Sequence, residues 1–212
     1  MQAIYLTLAL LLGVGLVGLG IGSNTSGGGI LDALKGDGGG GGNVDEQLEK
    51  DLDRAAQKVK ATPKDPAAWA NLTRLRFRRA NIDGFTTDKA RPRLELASQS
   101  WESYLALEPK DPDEALASTM VRVYEAGLNQ PVKAVRAMEI ITAETKPPNP
   151  RLYARLAQLA YGAGEERVGD LAADRAIELA KPEERKALRA ALDLAKEQGT
   201  SAQQGQQAEP SG

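Results

Sequence analysis

Side chains able to do chemistry are few in this sequence. It contains no cysteine and no histidine. That removes thiolate nucleophiles, disulfides, the usual zinc ligand sets and imidazole acid–base catalysis. Carboxylates remain, and the adjacent pairs Glu165–Glu166 and Glu183–Glu184 fall where helices are expected to begin. There they favour the positive end of the helix dipole, and nothing sets either pair as an acid–base couple. The glycine run Gly38–Gly42 is not followed by the Lys-Ser/Thr of a phosphate-binding loop. We therefore expect no catalytic residues, no metal, no cofactor, no small-molecule substrate and no enzyme activity. Arginine is the residue type left with recognition chemistry. Its guanidinium grips a carboxylate through two parallel hydrogen bonds, and Arg74 with Arg78, and Arg151 with Arg155, recur at helical spacing.

The elements that carry these residues read as helices. Beyond its glycine-rich N-terminal part the chain is rich in Ala, Leu, Glu, Arg and Lys and poor in β-branched residues, with aromatics at only 4%. That is a helix-forming composition. Lys and Arg number 27 against 29 Asp and Glu, for a net charge of −2, and the two signs are interspersed. No basic stripe follows a phosphate backbone, so nucleic acid is not an expected partner.

From Ala3 to Ile21 no residue is charged. At 1.5 Å per residue this run is roughly 28 Å long, close to the hydrocarbon thickness of a bilayer. Residues 1–22 are thus expected to form a single transmembrane helix. A cleaved signal peptide is the alternative, with small residues at Gly18–Gly22 for its cleavage site. Glycines at 13, 15 and 18 would let such helices approach each other in lipid. Lys35 stands between Asp32 and Asp37 with no basic cluster around it, so the N-terminus is expected inside and the C-terminal domain outside the cytoplasm. Residues 23–43 read as a flexible Gly-rich linker. Residues 199–212, polar and Gln-rich, read as a disordered tail.

Between these lies a helical domain, 44–198. Asp65–Pro66, Asp111–Pro112, Asn149–Pro150 and Lys181–Pro182 each precede an apolar-periodic run. Asp or Asn before Pro is a helix-start signal, since the side chain caps and the missing N–H is not needed. The prolines are 46, 38 and 32 residues apart, which fits a repeat of about 34 residues with insertions. The clearest unit carries Tyr153, Leu156, Ala157 and Ala160, then a turn at Tyr161–Gly164, then Gly169, Ala173 and Ala176 before Pro182. It resembles the tetratricopeptide repeat. Trp69, Leu72, Thr73, Ala97, Trp101, Tyr104 and Pro109 resemble a second copy, interrupted by an insertion at Asn81–Arg93. A third, more degenerate copy carries Leu116, Thr119, Met120 and Val123, then Ala134, Met138 and Ile141. Glu46–Ala61 resembles a half-repeat. Pro182–Gln198 resembles the solvating helix after a last repeat, with Leu188, Leu192 and Ala195 inward.

The resemblance implies an all-α fold, a solenoid of antiparallel helix pairs whose first helices line a concave face. Away from the core stripe that face would carry Asn71, Arg74 and Arg78, then Ala117, Val121 and Tyr124, then Arg151, Arg155 and Gln158. An acidic or C-terminal peptide segment of a protein partner would suit it; ordinary ion-paired surface is the alternative. Within the insertion, Phe85 is either tucked over the helix pair or presented to a partner. Single-span tetratricopeptide proteins of bacteria include chaperone-like partners of the secretion translocon and assembly factors for c-type cytochromes. The expected function is accordingly a membrane-anchored scaffold or adaptor in an envelope complex. The alternative is a secreted peptide-binding module.

Overall fold

The computed structural model describes residues 41–207. The expected membrane span and all but the end of the expected linker lie outside them. Among the described residues there are eight α-helices and no strand, and no helix is long and apolar enough to cross a membrane.

Helix α1, Gly41–Ala61, starts slightly before the expected Val44. Its inward stripe is Leu48, Leu52, Ala55 and Val59. Thr62–Asp65 turns the chain into α2, Pro66–Ile82. The Asp65 side chain accepts from the Ala67 N–H at 2.9 Å, with Pro66 at the first helical position, as the Asp-Pro signal requires. The two helices are antiparallel: Lys58 lies near Asp65 at one end, and Arg79 Nε donates to Glu49 at 2.5 Å at the other. Ala55 and Val59 pack with Ala68 and Leu72 between them.

The insertion is a closed loop. Asp83 ends α2, Gly84 turns at φ +85°, and α3 begins at Arg91 and ends at Leu105. Asp83 pairs with both Arg79 and Arg93, pinning the loop from each side. Phe85 is tucked in: it meets Phe77 edge-to-face at 5.9 Å, and the Arg122 guanidinium stacks 5.1 Å from its ring centre. Of its two expected roles, the structure takes the capping one.

Helix α4, Glu114–Arg122, departs from the expected start. The cap is Asp113, whose side chain accepts from the Leu116 N–H at 2.7 Å, rather than Asp111 before Pro112. A π-helical turn, Val123–Gly127, follows. A Cβ at Gly127 would lie 2.5 Å from Leu94 Cδ1, so a side chain there would require Leu94 to move. Then come α5, Pro131–Glu144, and α6, Pro150–Ala163, capped by Asn149. Tyr161 and Gly162 belong to α6; the turn itself is Gly164, at φ +81°. Helices α7, Glu166–Leu179, and α8, Pro182–Gln207, complete the stack.

Helices α2 with α3, α4 with α5, and α6 with α7 pack as sequential pairs; α5 also packs on α6, and α8 on α6 and α7. One apolar core runs from Leu94 and Trp101 through Met120 and Met138 to Leu156 and Leu192. Each large side chain so buried contributes about 1.5–3 kcal/mol. Tyr153, Leu156, Ala157 and Ala160 of α6 and Leu188, Leu192 and Ala195 of α8 face it as the sequence stripes require, whereas Leu72 of α2 packs instead with Ala55 and Val59 of α1.

The expected disordered tail, 199–212, is corrected over 199–207, and its last residues, 208–212, lie outside the described residues. Helix α8 continues through Gly199 to Gln207, and Gly199 is buried. A Cβ at Gly199 would stand 2.4 Å from the Tyr161 carbonyl oxygen. The glycine that opens the expected tail is instead the point where two helix backbones approach.

Candidate functional site

The face singled out by its arginines is built on α2, α4 and α6. Asn71, Arg74 and Arg78 are exposed on α2; Arg151 and Arg155 are exposed on α6, with Gln158 half-buried beside them. The middle helix does not continue that face. Ala117 and Val121 are buried, and Tyr124 is only 1% exposed. This corrects the expectation that Tyr124 faces a ligand. Its hydroxyl lies 3.0 Å from Ser98 Oγ on α3, and burial pushes the phenol up to about 12. The cause is position in the stack. The π turn that carries Tyr124 packs against both α3 and α5, so that side chain is covered where an open face was expected.

Two of the arginines reach across to this middle helix. Arg74 pairs with Asp113, the N-cap of α4, and Arg155 Nη2 donates to Glu125 Oε1 in the π turn at 2.6 Å. Helices α2 and α6 are thus tied to opposite ends of α4. Each pair is substantially solvated, so its net stabilisation is about 0–1 kcal/mol, and what it chiefly sets is the register of the three helices. Arg78 and Arg151 differ, having no carboxylate partner among the described residues. No family model, curated protein or solved structure matches this chain.

Two features escaped the sequence reading. The first is a cleft of about 310 Å³ between α1 and α2, lined by Asp51, Arg54, Ala55, Lys58, Asn71 and Leu75. It brings Asn71 together with residues of α1. The repeated i, i+3, i+7 spacing of Asp51, Arg54 and Lys58 was visible, but not that it faces Asn71 and Leu75. The second is Arg76, half-buried between α2 and α3. Its guanidinium donates to the Leu96 carbonyl at 2.8 Å and to Ser100 Oγ at 3.1 Å, and burial lowers its pKa. Those neutral acceptors make it a packing residue that joins the first pair.

Proposed function

We propose that this protein is a membrane-anchored helical-repeat scaffold of the tetratricopeptide type, which recruits a protein partner through the exposed arginine-bearing face of its helix stack. The observation that carries this reading is the arrangement of the pairs. Successive helix pairs share one core, and the α2 and α6 arginines clasp the two ends of the intervening α4. Such a stack offers a long polar surface while burying its apolar faces against neighbours, which is how helical repeats present binding sites without a catalytic centre. Arg78 and Arg151, exposed and without a carboxylate partner among the described residues, supply the positions at which an acidic segment pairs without first displacing an internal partner.

Photo-crosslinking from Arg78 and Arg151 in intact cells, followed by mass spectrometry, tests the surface. Recovery of one partner from both positions supports the scaffold; absence of any protein adduct at either overturns it. Intact mass of the membrane-fraction protein tests the anchor. A product beginning near Ser23 would replace it with the secreted binding module. Protection of the helical domain from protease added to intact cells would reverse the proposed outward orientation.

A further inference from the structure

The cleft between α1 and α2 has the chemistry of a particular ligand. Its floor is apolar, formed by buried Ala55 and half-buried Leu75. Its rim is cationic. Arg54 and Lys58 stand on α1 with side chains 70% and 61% exposed, and Arg78 continues the Asn71–Leu75 stripe of α2 at i+7 and i+3.

The single carboxylate in the lining, Asp51, is already engaged. It accepts from Gln47 Nε2 at 3.0 Å and from Arg54 Nη1 at 3.2 Å. One donor of the Arg54 fork is used in this way, and the rest of the fork is open to solvent. Lys58 sits 3.9 Å from Asp65, at the outer limit of an ion pair. Arg78 has no carboxylate among the described residues. Two cations, Arg54 and Lys58, therefore line an apolar floor beside one occupied carboxylate, and Arg78 lies one turn further along the same stripe of α2.

We propose that this cleft binds an acidic peptide segment bearing one apolar side chain: the apolar group seats on Ala55 and Leu75, and flanking carboxylates pair with Arg54, Lys58 and Arg78. This rests on the scaffold reading and moves its contact point from the α6 arginines to the N-terminal end of the stack. The apolar seat supplies position and the cations supply sign. An acidic segment lacking the apolar residue, or a basic one carrying it, satisfies only half of the site.

The test is fluorescence anisotropy with the full-length protein in a non-ionic detergent and the fluorescein-labelled peptide Glu-Asp-Glu-Leu-Asp-Glu-Asp as probe. Saturable binding that weakens with added salt is expected. Replacing the probe's Leu with Ala should weaken it about tenfold, which corresponds to about 1.4 kcal/mol. The double variant Arg54→Glu/Lys58→Glu should lose at least tenfold in affinity with an unchanged melting temperature, because both side chains are largely solvated. The double variant Lys186→Glu/Arg189→Glu, exposed on α8, imposes the same change of net charge at the other end of the stack and should bind as wild type. Equal binding by the Arg54/Lys58 variant, or no saturable binding at all, overturns the cleft. Loss in an Arg151→Glu/Arg155→Glu variant, with the Arg54/Lys58 variant binding as wild type, also overturns it but leaves the scaffold reading standing, with its contact point back on α6.

Discussion

Tyr161 is held between glycines from two other helices, and that arrangement decides which glycines tolerate a side chain. A Cβ at Gly169 on α7 would lie 2.4 Å from the Tyr161 ring, and one at Gly199 on α8 would lie 2.4 Å from the Tyr161 carbonyl. At Gly162, in the same α6 turn, a Cβ meets nothing within 4 Å. Gly169→Ala should therefore cost about 1–3 kcal/mol through overpacking, while Gly162→Ala should gain about 0.5–1 kcal/mol by removing backbone freedom from the unfolded chain. Urea unfolding of the two variants should show opposite shifts in midpoint, and shifts of the same sign would contradict the packing described. The polar side of the same cluster has a pH signature. Asp170 accepts from the Tyr161 hydroxyl at 3.0 Å and from Lys196 Nζ at 2.7 and 2.9 Å. The Lys196 bond, then that of Tyr161, holds the Asp170 carboxyl below its usual value, and the Asp170 bond raises Lys196. A depressed carboxyl contributes stability above its unfolded pKa of about 4, and that contribution disappears as pH falls through the lower folded value. A raised ammonium contributes below about 10.4 and is lost as pH rises past it. Asp170→Asn should thus lower the melting temperature at pH 7 and make progressively less difference as the pH is taken below the carboxylate range. A difference independent of pH would show that the charge is not what ties α8 down.

At the scale of the element, the legible and the illegible parts of the sequence divide by how local their causes are. Helix interiors were readable because an apolar stripe needs only the 3.6-residue period and one covering neighbour. The stripes Leu156–Ala157–Ala160 and Leu188–Leu192–Ala195 are therefore where the spacing puts them. Starts were readable where Asp or Asn directly precedes proline, as at Asp65 and Asn149. Asp111–Pro112 carries the same signal and fails, because Asp113 stands one residue beyond the proline and bonds to Leu116 N. The Tyr104 hydroxyl, which accepts from the Asp113 N–H at 2.9 Å, fixes that choice from another helix. Asp113→Ala should accordingly cost about 1 kcal/mol as a lost cap, together with its pairing to Arg74. Asp111→Ala should be nearly neutral. Chemical denaturation that ranked the two the other way would return the helix start to Asp111. The candidate face divides similarly. Exposure of Arg74, Arg78, Arg151 and Arg155 followed from their offset to the core stripe, whereas the burial of Tyr124 depends on the π turn packing against both α3 and α5, which no local spacing records.

For the helical stack as a whole, what matters is how far the effect of one contact travels. Each helix pair meets chiefly its sequence neighbours, and in such arrays stability is a sum of unit terms and nearest-neighbour terms. Helix α8 has a neighbour on only one side. Its hold on α6 and α7 runs through Leu188, Leu192, Ala195 and Gly199, with Lys196 bonded to Asp170 and Thr200 Oγ1 lying 3.4 Å from Glu166. A chain ending at Gln198 removes Gly199 and Thr200 and leaves the Lys196–Asp170 bonds intact. Were the stack a single cooperative core, hydrogen exchange would quicken equally from α2 to α7. Nearest-neighbour coupling predicts instead that α7, the rest of α8 and the C-terminal half of α6 lose protection, while α2 and α3 retain theirs. The cleft between α1 and α2 lies at the far end of that gradient. The truncated chain should therefore bind the acidic probe as the full chain does while melting earlier at its C-terminal end. A uniform loss of protection together with weakened probe binding would mean that the two ends are coupled through α4, whose ion pairs to Arg74 and Arg155 are the contacts that would carry such coupling.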